Sequence, residues 1–102
     1  MKDIQRSVDM WVRQCKIGYF EPLECIARIA EEVGELSREV SHRYGSKKRK
    51  DTDDTADLEE ELGDVIFSLT CLANSLNLDM DRGFKHVMNK LNTRDKDRWE
   101  RK

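Results

Sequence analysis

The sequence is short of the features that build many architectures. It has one proline in 102 residues and only seven aromatics, three Phe, two Trp and two Tyr. Its longest apolar runs are three residues, such as Val65-Ile66-Phe67, against the ~20 needed to span a bilayer. No membrane association is expected. The opening stretch Met1-Lys2-Asp3-Ile4-Gln5-Arg6 carries no apolar run, so no secretory leader is expected either. Cys15, Cys25 and Cys71 are odd in number and form no CxxC, which argues against zinc and fits reduced thiols in the cytoplasm. Neither charge sign dominates: 19 Lys+Arg face 21 Asp+Glu, for a net charge of −2. A stable nucleic-acid binder would show a clear basic excess. His42 and His86 stand at unrelated positions and support no Ser–His–Asp or Cys–His arrangement. The absence of a Walker-type glycine loop excludes the P-loop class.

What is present is charge. Charged residues make up 39% of the chain, against roughly 25% in an average globular protein. Leu, Ile, Val and Phe total 23, just above the level of about 20% below which chains stay disordered. The length fits one domain spanning residues 1–102. Its private core is thin, so a second subunit is expected to cover more apolar surface.

The apolar spacing is helical throughout. Ile4, Val8, Trp11, Val12 and Cys15 predict a helix over about 3–16, broken before Gly18. Pro22 suits the first turn of a second helix, where its missing N–H costs nothing. Leu23, Ile26, Ile29, Ala30, Val33, Leu36 and Val40 form that helix's stripe, which fades near His42–Tyr44. Residues 45–55 are polar and charged and predict a mobile linker. Leu58, Leu62, Val65, Ile66, Leu69, Leu72, Ala73 and Leu76 mark a third helix, closed by the turn Asn77-Leu78-Asp79. Met80, Phe84, Val87, Met88 and Leu91 mark a fourth. The expected fold is all-α, a four-helix up-down bundle assembling as a homo-oligomer. Phe67, Cys71 and Gly63 lie off the third helix's main stripe and are expected to face another subunit.

Acids sit beside these stripes rather than opposite them. At 100° per residue, Glu32, Glu35 and Glu39 flank the stripe of the second helix, with Glu31 further toward solvent. Asp57, Glu61, Asp64 and Ser68 form a similar row on the third. If the two helices pair, Glu32, Glu35, Glu61 and Asp64 are expected to converge, with Glu39 able to join them. Carboxylates at such quarters repel one another unless a cation holds them. All-oxygen ligation points to a hard ion, usually Mg²⁺. The competing reading is a set of surface charges paired with Arg28, Arg38 or the fourth helix.

Glu39-Val-Ser-His42 is a single ExxH, whereas di-iron bundles need two, and His86 has Gly83 three residues before it. On the fourth helix His86, Lys90, Arg94 and Arg98 stand four apart, with Asn89 alongside. They read either as phosphate contacts or as ordinary helix charge pairing.

The segments Glu31-Glu32-Val33-Gly34-Glu35-Leu36 and Glu60-Glu61-Leu62-Gly63-Asp64-Val65 resemble the paired EExxE and ExxD of MazG-type nucleoside triphosphate pyrophosphohydrolases. The likeness covers roughly residues 4–99, and Asn74 and Asn89-Lys90-x3-Arg94 are similar to that family's nucleotide-contacting positions. It implies an all-α homodimer or dimer of dimers that uses Mg²⁺, with Mn²⁺ as a substitute. It implies cleavage of a nucleoside triphosphate at the α–β bond, giving monophosphate and pyrophosphate. Carried over by position, Glu32, Glu35, Glu61 and Asp64 are metal ligands, and Glu31 is a ligand or water-activating base. Lys90 and Arg94 hold phosphates, with Asn89 beside them. Asn74, ~80° round the helix from Asp64 and ~15 Å along it, suits the sugar or base. The alternative is a non-catalytic helical interaction module with a vestigial acidic site. Magnesium-dependent release of pyrophosphate separates the two.

Overall fold

The computed structural model describes residues 1–45, 55–94 and 98. Four helices follow in order, α1 (Lys2–Val12), α2 (Pro22–Tyr44), α3 (Ala56–Ser75) and α4 (Met80–Asn92), with no strand among the described residues. The linker expected over 45–55 falls, apart from Gly45 and Thr55, outside the described residues, as does Trp99. Among the described residues no helix is long and apolar enough to cross a membrane.

Helix ends follow local chemistry. α1 stops at Val12, short of the expected residue 16. Past it, Gln14 N–H donates to Trp11 O and Cys15 N–H to Val12 O, three-residue bonds that tighten the helix into turns. Gly18 then takes φ 69°, the left-handed region where glycine is not penalised. α2 opens on Pro22, as its fixed φ favours. α3 closes with Asn77 at φ 56°, while Leu78 N–H reaches Ala73 O at 2.8 Å and Asn77 N–H reaches Asn74 O at 3.1 Å. This pair of bonds satisfies the last carbonyls of the helix and turns the chain. Asp79 caps α4 by accepting from Arg82 N–H at 3.1 Å.

The most extensive packing joins α2 to α3, α1 lies on α3, and α4 rests on α1. α2 and α3 run antiparallel: Cys25 and Cys71 border one small cavity, and Glu32 approaches Asp64 further along. The face that α2 turns to its partners differs from its apolar stripe. The covered positions are Pro22, Cys25, Ile29, Glu32, Leu36, Glu39, His42 and Arg43; all but His42 keep a seven-residue rhythm, which includes two acids. Leu23, Ile26, Val33 and Val40 remain exposed, Leu23 to 85%. Leu62, Leu69 and Leu76 of α3, each seven apart, are exposed as well. α4 has no buried residue, and Phe84, Val87, Met88 and Leu91 lie uncovered along one side. Hydrophobic periodicity therefore locates the stripes correctly, but one chain does not cover them.

Phe67 and Cys71, expected to face another subunit, have partners inside the chain. The Phe67 ring meets Trp11 edge-on at 5.7 Å. Cys71 borders the cavity it shares with Cys25, and burial raises its thiol pKa, with a smaller push from Cys25.

Candidate active site

Because α2 turns its acid-bearing face to α3, carboxylates meet in the seam. Glu61 and Asp64 stand one turn apart on α3, and Glu32 comes across from α2. One carboxylate oxygen from each lies within 4.8 Å of the others. Glu32 and Glu61 are half-buried, while Asp64 is open to solvent. The Glu61 carboxyl is held above its ordinary 4.5, first by loss of hydration, then by repulsion from Asp64, Glu35, Glu32 and Glu39. The seam thus gathers negative charge that raises the proton affinity of its central member. Three hard oxygen donors at this separation fit a divalent cation such as Mg²⁺.

Glu35 belongs to the field around Glu61 but not to the converging trio, and it accepts from Arg38 at 3.1 Å. Glu31 is exposed on α2 and lies outside the trio. Glu39 pairs with the buried Arg43 at 3.9 Å.

Glu32 and Asp64 also form the edge of a pocket of about 290 Å³ whose walls are Trp11, Tyr19, Phe20 and Phe67. Four of the chain's seven aromatics are concentrated there. Arg28, one turn before Glu32, lines the same pocket with its guanidinium 4.6 Å from the centre of the Phe20 ring. Sequence reasoning assigned none of these residues to a ligand pocket. Trp11 read as part of the α1 stripe, Phe67 as a subunit contact and Arg28 as a partner for surface acids. The available signal was Arg28 lying four residues before the Glu32 of the acidic segment.

Asn74 does not join the acids. Its Nδ2 donates to Gln5 O at 2.9 Å and to Tyr19 Oη at 3.0 Å, and its Oδ1 accepts from Gln5 Nε2 at 2.9 Å. Tyr19 Oη in turn donates to Asp9 at 2.7 Å, and Asp9 accepts from Arg13 at 2.6 Å. Burial and the Asp9 bond push the Tyr19 hydroxyl up to about 12. This network borders a polar cleft of about 620 Å³, divided from the aromatic pocket by Tyr19 and Phe20.

The basic row takes a third position. His86, Asn89, Lys90, Thr93 and Arg94 line a groove of about 220 Å³ on α4 that shares no residue with the acidic seam or the aromatic pocket. Arg94 lies beyond the helix, which ends at Asn92, so the spacing of four holds as helix geometry only through Lys90.

Comparison with known proteins identifies the family. The family model of the MazG nucleotide pyrophosphohydrolase domain matches residues 20–99. The uncharacterized protein YpjD of Bacillus subtilis is 58% identical over 102 residues, covering 100% of this chain and 92% of that protein. The crystal structure of Bacillus subtilis YpjD superposes with a TM-score of 0.85 at 54% identity, covering 90% of this chain and 94% of that one. A Bacillus-conserved MazG protein, described as a nucleotide pyrophosphohydrolase, gives a TM-score of 0.79 at 52% identity, covering 94% and 93%. Both acidic segments lie inside the matched region, and the chain belongs to the MazG nucleotide pyrophosphohydrolase family.

Proposed function

We propose that the protein hydrolyses nucleoside triphosphates at the α–β bond in a Mg²⁺-dependent reaction, releasing monophosphate and pyrophosphate as a house-cleaning activity on the nucleotide pool. The observation that carries this reading is the meeting of Glu32, Glu61 and Asp64 at the rim of an aromatic pocket. The seam provides for the cation and the pocket for the nucleoside, so the phosphates are drawn across the boundary between them.

In this reading Glu32, Glu61 and Asp64 hold the cation, and Glu35 completes the set carried over from the family. Bound Mg²⁺, or Mn²⁺ in its place, would neutralise phosphate oxygens and acidify a water. The water oxygen forms a bond to the α-phosphorus as the bond to the bridging oxygen breaks and pyrophosphate departs. Glu31, the remaining acid of the first segment, is the candidate acceptor for the water's proton. Trp11 and Phe67 enclose the base through their ring faces and edges. Asn74 acts at a distance by positioning Tyr19 at the pocket wall.

Lys90 and Arg94, with Asn89, suit the charged end of the ligand. Their helix rests on α1, and among the described residues the groove they line shares no residue with the seam of its own chain. A second copy would bring them there, in a homodimer or dimer of dimers. The uncovered stripes of α2, α3 and α4 support that assembly.

The test is a panel of ribo- and deoxynucleoside triphosphates with Mg²⁺, followed by pyrophosphate detection. Pyrophosphate release that ceases with chelator is expected. No turnover of any triphosphate would favour the helical interaction module instead.

A further inference from the structure

The proposed reaction leaves open which base the aromatic pocket accepts. Arg28 bears directly on this. On α2 it has a carboxylate four residues to either side, Glu24 before it and Glu32 after it. Such i, i+4 pairs are modestly favourable, and acid-before-base is the better orientation. Arg13 pairs with Asp9 at 2.6 Å and Arg43 with Glu39 at 3.9 Å in that orientation, and Arg38 finds Glu35 at 3.1 Å. Among the described residues Arg28 takes neither carboxylate. Its guanidinium lies over Phe20 instead and lines the pocket, while the residue as a whole stays exposed.

That placement has a chemical consequence. A guanidinium on an aromatic face is held by its charge and its plane, while its five in-plane N–H donors remain available. It has no acceptor to offer. The other polar groups of the wall do little to balance it. Tyr19 Oη is already engaged with Asp9 and Asn74. Trp11 is a donor only, and Cys15 and Cys71 are weak partners. In the proposed reaction Glu32 and Asp64 are taken up by the cation. Ser68 is the one versatile group left. A pocket rich in donors favours a base edge rich in acceptors.

We infer that Arg28 is a specificity-determining residue that selects bases bearing a carbonyl where adenine and cytosine bear an amino group, 6-oxopurines foremost. The inference rests on the proposed hydrolase reading. The O6 and N7 atoms of guanine or hypoxanthine offer two adjacent acceptors that match the guanidinium fork, the commonest specific arginine–base contact. The N6 amino group of adenine would set donor against donor.

The test compares dGTP, dITP and dATP on the Mg²⁺-loaded protein, reading the ratio of kcat/KM for each oxo-purine to that for dATP. The ratio should exceed unity by about 10-fold, within the range one bidentate contact provides. Arg28→Ala should bring it close to one. Arg28→Lys keeps the charge but loses the fork, and it should lower the ratio in the same way. Equilibrium binding of α,β-methylene analogues of dGTP and dATP, with and without Mg²⁺, supplies a readout that needs no turnover. If no triphosphate is hydrolysed, a dGTP-analogue preference lost in Arg28→Lys still upholds the inference while the hydrolase reading fails. Equal loss for all three nucleotides, with recovery in Arg28→Lys, would make Arg28 a phosphate contact and overturn it. So would a wild-type ratio of one.

Discussion

Gln5 and Asn74, on α1 and α3, bond each other twice: Gln5 Nε2 donates to Asn74 Oδ1, and Asn74 Nδ2 donates to the Gln5 carbonyl, both at 2.9 Å. Gln5 also donates to Leu78 O at 2.9 Å and accepts from Met80 N–H at 3.1 Å. One side-chain pair thereby ties α1 to α3 and to the start of α4. Through Tyr19 it also fixes one wall of the aromatic pocket.

This tie predicts a stability phenotype for Asn74. Asn74→Ala leaves Gln5 and Tyr19 with lost partners in a part-buried network, at a cost of about 1–3 kcal/mol. Thermal melts should show a lower midpoint, and Tyr19→Phe should show a smaller drop in the same direction. A direct nucleotide contact would instead leave the melt unchanged and raise KM.

Glu61 predicts the opposite sign. Its folded pKa lies above the ordinary 4.5, so the folded, metal-free protein binds this proton more tightly than the unfolded chain. Stability of the metal-free protein should therefore rise as the pH falls through the raised folded value toward 4.5, where the gain levels off. At neutral pH Glu61→Gln should melt higher than wild type without metal, because it removes repulsion with Asp64, Glu35, Glu32 and Glu39. Mg²⁺ should raise the wild-type midpoint but hardly that of the variant, and turnover should fall by at least the roughly 10–100-fold that losing an outer-shell partner of a metal ligand costs. A variant that melts lower and keeps its Mg²⁺ response would mark these acids as ordinary surface charge.

The uncovered stripes predict assembly. Gel filtration with light scattering should give at least twice the 12.0 kDa chain mass at micromolar concentration. Leu69→Glu places a charge in the exposed leucine series of α3 and should dissociate the oligomer. Loss of turnover should accompany dissociation, because Lys90 and Arg94 would no longer reach a seam. A wild-type monomer would contradict the arrangement.

The helices were legible because their signals are local. Pro22, Gly18 and the three- and four-residue apolar steps act within one or two turns. The acidic trio was legible for a related reason, since Glu61 and Asp64 share one turn and Glu32 needs only the pairing of α2 with α3. What stayed hidden depends on distant partners. Asn74 meets Gln5 across 69 positions, and Phe67 meets Trp11 only because α1 lies on α3. Periodicity marked Leu23, Ile26, Val33 and Val40 as apolar but carries no information on whether the covering surface belongs to the same chain. The Arg28 choice between Glu24, Glu32 and Phe20 depends on where the 19–20 loop falls, which no helix pattern encodes.

The bond that breaks is tested most directly by hydrolysis of a triphosphate in ¹⁸O-labelled water with Mg²⁺, followed by mass analysis of both products. The account predicts nucleoside monophosphate carrying one labelled oxygen and pyrophosphate carrying none, as attack at the α-phosphorus requires. Label in the pyrophosphate, or nucleoside diphosphate with labelled orthophosphate, would contradict it.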